Sequence, residues 1–469
     1  MRGWLFVVSY LLSLAAIPHL LFSKKRPAAT LAWVWFILLF PLFGSLAYFV
    51  IGADRMKRRR LRRLSLRQFH ARGESPDAKR LLDSQRDGMR LFLRSLASIN
   101  QVPSAVARDA RLLVDAARFY PALEEAIEKA QHHVHIEFFI WRDDETSRRF
   151  RDALVAAAKR GVIVRLLLDQ IGCLDTSRAF FDPLIAAGGK FSWFYSRPLL
   201  RHVRFLNLRN HRKLQIFDGT LAFVGGMNIG DEHVATGCDE TRWRDAQLEL
   251  RGGVVTHLQE AFATDWFFAT EEEIIGSEYY PDVEPGGEHL AQVIAGGPDL
   301  PREPIPKSLV ALCTNARQRL WISTGYFCPD LMMLSALQIC AARGVDVRLL
   351  ISEKTDHPLL VKIGRSYYQD LLRFGVRILE YSSGINHAKT VLLDDSWIMV
   401  GSANSDNRSM RLNFELNVLL HAPVAAGELE RMMGEDFAAS REITQADFEH
   451  QPFTRRLAEA ALRPLAPLL

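Results

Sequence analysis

The chain contains little cysteine: five residues in 469, and no two of them form a C-x-x-C pair. A structural zinc site built on paired thiolates is therefore not expected. Five scattered cysteines also fail to make a disulfide framework of the kind that small secreted domains use. The pattern instead predicts reduced thiols that pack as small apolar side chains, in a protein that faces a reducing compartment.

Acidic residues are absent from the first 53 positions, and the basic cluster RMKRRRLRR follows at 55–63. Residues 1–63 carry a formal charge of about +10, although the whole chain carries only +5, so the rest is slightly acidic. A nucleic-acid-binding protein needs a basic binding face, and the body of this chain has no excess of basic residues to build one. Nucleic acid is therefore not an expected partner.

Two uncharged apolar runs precede the basic cluster, WLFVVSYLLSLAAIPHLLF at 4–22 and LAWVWFILLFPLFGSLAYFVIG at 31–52. Each approaches or exceeds the roughly 20 residues that cross the hydrocarbon of a bilayer. A cleaved signal peptide is a poor alternative, because the basic cluster follows the apolar run. We predict a membrane helical hairpin in residues 1–54, with the basic cluster and the body on the cytoplasmic side. Alternatively, the first run does not fully cross the bilayer.

One pattern of polar residues occurs twice, in NHRKLQIFDGTLAFVGGMN (210–228) and in NHAKTVLLDDSWIMVGSAN (386–404). Both copies fit H-x-K-x4-D-x6-G-[GS]-x-N. The distance between the copies is too long for a solenoid, so the pattern predicts a duplicated domain. The shared landmarks are His211, Lys213, Asp218, Gly225 and Asn228 in the first copy, and His387, Lys389, Asp394, Gly401 and Asn404 in the second.

The surrounding sequence repeats as well. An apolar strand pattern, an amphipathic helix closed by glycine and a second apolar strand occur in the same order in both halves. This order is typical of a βαβ unit and predicts an α/β fold: two similar domains, each a mixed or largely parallel sheet flanked by helices, related by a pseudo-twofold axis. The predicted segments are a membrane region (1–54), a basic tract and helical linker (55–103), a first domain (104–272), a linker (273–304) and a second domain (305–469).

A single copy of the pattern is a weak signal, but two copies brought together supply two histidines, two lysines and two asparagines. That set suits a phosphodiester. Lysine and asparagine hold phosphoryl oxygens, one imidazole attacks phosphorus, and the other exchanges a proton with the alcohol. A metal site is not expected, because Lys213 and Lys389 would repel a cation and no carboxylate lies within either strand. The predicted chemistry needs no metal and no cofactor.

Asp218 and Asp394 complete the two candidate catalytic sets. Asp218 precedes Gly219 between two apolar runs, which is a signal for a hairpin turn. This position favours turn structure or a local charge pair over direct chemistry. A carboxylate is also expected on the second nitrogen of each histidine. The candidates are Asp245 and Glu415, with an ordinary surface acid as the alternative for each, and the pairing within or across halves is left open.

The paired H-x-K-x4-D boxes resemble the phospholipase D superfamily. GGMNIGDE, WRD at 243–245, GSANSDNRS and NFELN are similar to the bacterial cardiolipin synthase family, and this resemblance covers essentially the whole chain. It implies metal-independent transphosphatidylation at the cytoplasmic face of the inner membrane, in which two phosphatidylglycerols give cardiolipin and glycerol through a phosphohistidine.

By the same resemblance, His211 or His387 is the nucleophile, with His211 favoured, and the other is the acid and base. The phosphate ligands it implies are Lys213, Asn228, Lys389 and Asn404.

The chain departs from the family pattern at two positions near the boxes. His233 stands where an aromatic residue is common, and Gly325 stands where proline is common. These departures concern the lipid donor more than the class of reaction. His357 is either a further headgroup contact or a loop residue. The alternatives to synthesis are a phospholipase with water as acceptor, transfer from another phospholipid, a membrane-tethered nuclease and a non-catalytic scaffold.

Overall fold

The computed structural model describes most of the chain. The described residues are 10–11, 16–22, 27–49, 75–194, 208–234, 242–282, 286–300, 302–355, 357–449, 452, 457, 459, 461–463 and 466. They divide into two compact units, one from Met1–Ser65 with Arg197–Leu208 and the other from Leu66–Ser196 with Arg209–Leu469. The basic cluster 55–63 and Cys238 lie outside the described residues.

The described residues of the N-terminal unit are mostly helical. Pro41 opens its third helix, and because proline lacks an N–H donor it interrupts the preceding helix. The Tyr48 hydroxyl is buried and lies 2.8 Å from Nδ1 of His19. Within the residues described for this chain, no helix has the length and apolar character needed to cross a membrane. The helices are α1 (Ala16–Phe22), α2 (Pro27–Leu39) and α3 (Pro41–Ala47).

The second unit contains the rest of the described secondary structure. Its helices are α4 (Pro76–Asp83), α5 (Asp87–Asn100), α6 (Ala116–Lys129), α7 (Glu145–Lys159), α8 (Asp182–Ala186), α9 (Val254–Thr270), α10 (Pro304–Asn315), α11 (Leu331–Ala342), α12 (Pro358–Arg365), α13 (Tyr368–Leu372), α14 (Asn407–Arg411), α15 (Pro423–Ala438) and α16 (Gln445–Glu449).

Its strands in the first half are β1 (Ala105–Ala107), β2 (Asp109–Val114), β3 (His133–Phe138), β4 (Ile163–Leu168), β5 (Lys190–Trp193), β6 (Arg209–Asn210), β7 (Leu214–Phe217), β8 (Leu221–Gly225), β9 (Trp243–Arg244) and β10 (Ala246–Arg251). In the second half they are β11 (His289–Gly296), β12 (Arg319–Thr324), β13 (Phe327–Cys328), β14 (Asp346–Ser352), β15 (Arg377–Tyr381), β16 (Ile385–Asn386), β17 (Thr390–Leu393), β18 (Trp397–Gly401), β19 (Ser405–Asp406), β20 (Asn413–His421) and β21 (Ser440–Ile443).

The two main sheets repeat one strand order. The first runs β2-β10-β8-β7-β3-β4-β5, and the second contains β11-β20-β18-β17-β12-β14-β15 in corresponding places. In both, the last three strands are parallel and the others are antiparallel. The prediction of two similar α/β domains with mixed sheets is therefore confirmed.

Local sequence signals determine both ends of the helix that connects the first two parallel strands in each half. Helix α7 begins at Asp144, whose carboxylate accepts a hydrogen bond from the Ser147 N–H, and Gly161 follows its end with a φ of 92°. Helix α11 begins in the same way at Asp330 and is followed by Gly344. Aspartate caps the free N–H groups of a helix start, and glycine accepts the left-handed conformation after its end.

The predicted linkers contribute to the second domain. Strand β11 lies within the predicted linker 273–304 and pairs with β20, inside the second sheet. Strand β1 pairs with β11, and α5 packs into the core of the second domain through Phe92 and Leu96. Within the predicted linker 273–304, the apolar run HLAQVIAG forms this buried strand, between acidic and Gly-rich flanks that dominate the composition of the segment.

Candidate active site between the two halves

Two short parallel strand pairs join the halves. Strand β6, which leads into His211, pairs with the start of β20, and strand β16, which leads into His387, pairs with β9. The His211 N–H donates to the Phe414 carbonyl at 2.9 Å, and the His387 N–H donates to the Arg244 carbonyl at 2.8 Å. Each histidine segment therefore runs beside the carboxylate-bearing segment of the other half.

This pairing creates two histidine–carboxylate dyads that cross between the halves. Nδ1 of His211 lies 3.0 Å from Oε2 of Glu415, and Nδ1 of His387 lies 2.6 Å from Oδ2 of Asp245. Both carboxylates are fully buried. The question that the sequence left open is answered by this geometry: each half supplies the carboxylate for the histidine of the other.

The proton on His211 is located by its contacts. Its Nδ1 also lies 3.1 Å from the Ser402 carbonyl, and because a carbonyl oxygen can only accept, Nδ1 must be the protonated nitrogen. Burial raises the pKa of the Glu415 carboxyl, but the contacts with His211 and Lys213 together lower it by more. The pKa of Glu415 therefore lies below its usual value. Burial lowers the pKa of His211, which favours a neutral ring with a free lone pair on Nε2.

The second dyad has a different electrostatic environment. Burial raises the pKa of the Asp245 carboxyl, which accepts a hydrogen bond from the Ala246 N–H at 2.8 Å. Burial, together with Lys389 and Lys213, lowers the pKa of His387 well below its usual value. This environment disfavours an imidazolium at His387, and an anion between the lysines would oppose that effect.

The two lysines are buried beside the dyads. Nζ of Lys213 donates to the His211 carbonyl at 2.7 Å, and Nζ of Lys389 donates to the His387 carbonyl. Burial, with repulsion from Lys389, lowers the pKa of Lys213 to about 7. Phe139 lies against this side of the site, with its ring 4.8 Å from the His211 ring and 5.2 Å from Nζ of Lys213. Two buried cations that repel one another form a site for an anion.

The asparagines lie at the ends of the two motifs. Oδ1 of Asn228 accepts a hydrogen bond from the Ile140 N–H at 3.1 Å, which fixes the orientation of its amide. Oδ1 of Asn404 is buried and has no hydrogen-bond partner among the described residues. Both side chains are buried, at 1% and 3% exposure, so neither amide faces solvent.

Small residues in the motif make room for the carboxylates. A Cβ at Gly226 would lie 2.2 Å from Oδ1 of Asp245, so only glycine fits there. In the second half Ser402 takes the corresponding place, and its hydroxyl donates a hydrogen bond to Glu415. In the first half, therefore, the group that lies closest to this backbone is the Asp245 carboxylate of the protein itself.

Asp218 and Asp394 require a correction as candidate catalytic residues. Each follows the strand that begins one residue after its lysine, so each carboxylate lies at the far end of that strand from the dyads. Asp218 has a φ of 52° and Gly219 a φ of 65°, as in the tight hairpin turn that was predicted. Both carboxylates bind backbone N–H groups: those of Gln131, His132 and His133 for Asp218, and those of Arg317, Gln318 and Arg319 for Asp394. Their contacts are structural, which agrees with the turn interpretation.

Sequence reasoning missed the groups that hold the dyads in place. Arg212 lies between His211 and Lys213, and its buried guanidinium binds Asp265 and two backbone carbonyls. Its position inside the motif was the available signal for a functional place, because arginine side chains are mostly exposed. Arg244, one residue before the dyad carboxylate, binds Asp115 and Asp436 in a similar buried cluster.

His357 is exposed, at the N-terminal end of α12, and its ring lies 5.7 Å from the ring of Tyr326. This agrees with the loop interpretation rather than with a place inside the site. The four cysteines within the described residues, Cys173, Cys313, Cys328 and Cys340, are buried free thiols.

The chain thus has two α/β domains, and the histidine of each domain pairs with a carboxylate of the other, beside two buried lysines. This arrangement defines a phospholipase D-like protein. The model for "Cardiolipin synthase, PLD-like domain" matches residues 123–266 and 309–437, and the model for "Phospholipase_D-nuclease N-terminal" matches residues 11–52. The chain is 35% identical to cardiolipin synthase 2 of Bacillus anthracis over 455 residues, which are 95% of this chain and 88% of that protein. It is 36% identical to cardiolipin synthase of Geobacillus thermodenitrificans over 463 residues, 95% of this chain and 90% of the relative. The chain belongs to the cardiolipin synthase family.

A solved structure agrees on the fold. Phosphatidylserine synthase of Haemophilus influenzae superposes with a TM-score of 0.61 at 14% identity, over 81% of this chain and all of that one.

Proposed function

We propose that the protein transfers a phosphatidyl group from one phosphatidylglycerol to another, which gives cardiolipin and glycerol. As a member of its family, the chain is a phosphatidyltransferase of the phospholipase D type. The observation that carries the proposal is the pair of dyads across the halves, because transfer by double displacement needs two imidazoles at one phosphate.

In the first step, Nε2 of His211 attacks the phosphorus of the first phosphatidylglycerol. The bond between phosphorus and the glycerol headgroup oxygen breaks, and His387 gives its proton to that oxygen. His387 carries this proton only when the phosphodiester anion lies between the lysines, because that charge raises its pKa. A phosphatidyl group bonded to His211 remains, and free glycerol leaves.

In the second step, His387, now neutral, takes the proton from a headgroup hydroxyl of the second phosphatidylglycerol. The hydroxyl oxygen attacks phosphorus, and the bond to Nε2 of His211 breaks. Glu415 holds the His211 ring through Nδ1 in both steps, and Asp245 holds that of His387. Asp218 and Asp394 hold strand ends, outside both steps.

The phosphoryl oxygens bind the charged and neutral donors around the dyads. Lys213 and Lys389 balance the negative charge, which grows on the oxygens as the attacking atom approaches. The Nδ2 groups of Asn228 and Asn404 add neutral donors. These side chains supply the charge balance that phosphoryl transfer requires, and we propose that no metal ion and no cofactor takes part.

We further propose that the enzyme acts at the cytoplasmic face of a bacterial inner membrane. Residues 1–54 would form a membrane helical hairpin, and the match of residues 11–52 to the N-terminal family model supports an attachment there. The basic cluster 55–63 would bind anionic headgroups, since each basic side chain near such a surface contributes about 1 kcal/mol. Residues 104–272 and 305–469 would be the two phospholipase D-like domains.

The test uses the full chain in detergent with radiolabelled phosphatidylglycerol and EDTA, and products are separated by lipid chromatography. We expect cardiolipin and free glycerol from the wild type and neither from His211→Ala or His387→Ala. His357→Ala is the matched control, because that histidine is exposed, and it should retain wild-type turnover. Phosphatidic acid as the main product would instead identify a phospholipase, and absence of turnover would contradict phosphatidylglycerol as the donor.

A further inference from the structure

A third histidine lies beside the second dyad. His233 ends the short 3-10 turn Asp231–His233 and is only 3% exposed. Its ring centre is 6.1 Å from that of His387 and 5.2 Å from that of Trp243. The proposed reaction gives His233 no role.

The contacts of His233 assign its tautomer. The backbone N–H of Asn228 donates to Nε2 of His233 at 3.4 Å, so Nε2 is the acceptor and the ring proton is on Nδ1. Burial, followed by repulsion from His387, lowers the pKa of His233 to about 3. The ring is therefore neutral at physiological pH, a hydrogen-bond donor at Nδ1 and not a general acid.

This donor has nothing to bind within the described residues. Nδ1 of His233 is buried and has no hydrogen-bond partner there. A buried donor without an acceptor is unfavourable, and a folded protein keeps one where a catalytic role, a bound group or an ordered water accounts for it. Beside a dyad that exchanges a proton with an alcohol, the missing acceptor is an oxygen of the bound substrate.

The chemistry of the site favours a hydroxyl over a phosphoryl oxygen. The phosphoryl oxygens already face two buried ammonium groups and two amides, whereas a neutral imidazole N–H matches an uncharged oxygen. In the proposed reaction His387 exchanges a proton with the alcohol oxygen that enters or leaves. A group next to His387 therefore faces the carbon chain attached to that oxygen. In a glycerol headgroup the adjacent carbon carries a second hydroxyl.

We propose that Nδ1–H of His233 donates to the hydroxyl adjacent to the reacting oxygen of the glycerol headgroup. His233 is then a specificity-determining residue, which selects an acceptor with neighbouring hydroxyls over a simple alcohol. The inference rests on the proposed phosphatidyl transfer and adds the feature by which the acceptor is chosen.

The test separates acceptor choice from donor chemistry. Phosphatidyl-p-nitrophenol serves as donor, because its leaving group carries no second hydroxyl beside the reacting oxygen. Glycerol and 1-propanol then compete for the phosphatidyl-enzyme, and the ratio of phosphatidylglycerol to phosphatidylpropanol is measured. The variant is His233→Gln, whose side-chain oxygen reaches the place of Nε2 and accepts from Asn228, but which has no donor at the place of Nδ1. The matched variant is His233→Asn, whose amide nitrogen occupies the place of Nδ1.

We expect His233→Gln to lower the product ratio about five-fold, the effect of one neutral hydrogen bond. Release of p-nitrophenol should stay within about two-fold of wild type, and His233→Asn should recover most of the ratio. An unchanged ratio in His233→Gln overturns the proposal. If p-nitrophenol release is also slower in that case, His233 has a structural role instead. Failure of the wild type to transfer to either alcohol would instead contradict the proposed function.

Discussion

Nε of Arg212 donates a hydrogen bond to the backbone carbonyl of Glu415 at 3.1 Å, across the boundary between the two halves. The same guanidinium forms a buried ion pair with Asp265 and donates to the Gly296 carbonyl at 3.1 Å. The residue between His211 and Lys213 thus binds the backbone of Glu415, whose carboxylate lies against the His211 ring. The dyad His211–Glu415 depends on this connection as well as on its own hydrogen bond.

Replacement of Arg212 by leucine should lower the free energy of unfolding by about 3–5 kcal/mol, because it removes the charged partner of the buried Asp265 carboxylate. Urea unfolding of the detergent-solubilised protein measures this. Arg373→Leu is the control, since Arg373 is exposed and should change stability by less than about 0.5 kcal/mol. The double variant with Asp265→Leu should recover part of the loss. Equal stability of Arg212→Leu and Arg373→Leu would contradict the role of the buried pair.

The sequence predicts the local parts of this architecture well. The strand–helix–strand order, the helix ends at Gly161 and Gly344, and the turn at 218–219 follow from periodicity and turn chemistry, which depend on near neighbours. The paired motif likewise gave the residues whose side chains the structure brings together at the dyads.

The long-range parts were beyond sequence reasoning. Asp245 follows His211 and Glu415 follows His387 at comparable distances, so spacing could not decide between pairing within a half and pairing across halves. Strand β11 was hidden because charged, glycine and proline residues surround its short apolar run. The buried Arg212 has no periodic signature, since its burial depends on Asp265 of a distant helix.

The dyad carboxylates should matter for catalysis, not only for stability. Glu415→Gln and Asp245→Asn each keep the side-chain shape but allow the wrong tautomer of the paired imidazole. We expect each to lower kcat by about 10²–10⁴-fold. Steady-state cardiolipin formation measures the loss, and matched thermal unfolding curves show that the fold is retained. A loss below about three-fold in both variants would exclude the orienting role.

Asp218 should behave in the opposite way. Asp218→Asn keeps a residue that tolerates the left-handed backbone conformation but weakens the three hydrogen bonds from the β3 end. We expect a stability loss of about 1–3 kcal/mol, with kcat within about two-fold of wild type at a temperature where the variant is folded. Asp394→Asn is the equivalent change in the second half. A large fall in kcat at unchanged stability would restore Asp218 to the catalytic set.

The lowered pKa of Lys213 predicts an alkaline limit to activity. The ammonium form binds the phosphodiester, and the free enzyme loses that proton as the pH rises through about 7. The value of kcat/KM reports ionisations of the free enzyme, so it should fall above that pH. Lys213→Arg keeps its charge at every accessible pH, so its profile, normalised to its own maximum, should lack this limb. The same limb in both proteins would assign the ionisation to another group.

A donor whose leaving group needs no general acid tests the proposal that His211 is the nucleophile. Phosphatidyl-p-nitrophenol has a leaving group that departs as an anion near neutral pH, so its release needs no general acid. His387→Ala should therefore still release p-nitrophenol in a burst of about one equivalent and keep the phosphatidyl group on the protein. His211→Ala should show no burst, since it lacks the attacking Nε2. The trapped group should be lost in acid and survive in base, as a phosphorus–nitrogen bond requires, and peptide mapping should locate it at His211. A burst in His211→Ala, with the label at His387, would reverse the two roles while leaving the double displacement intact.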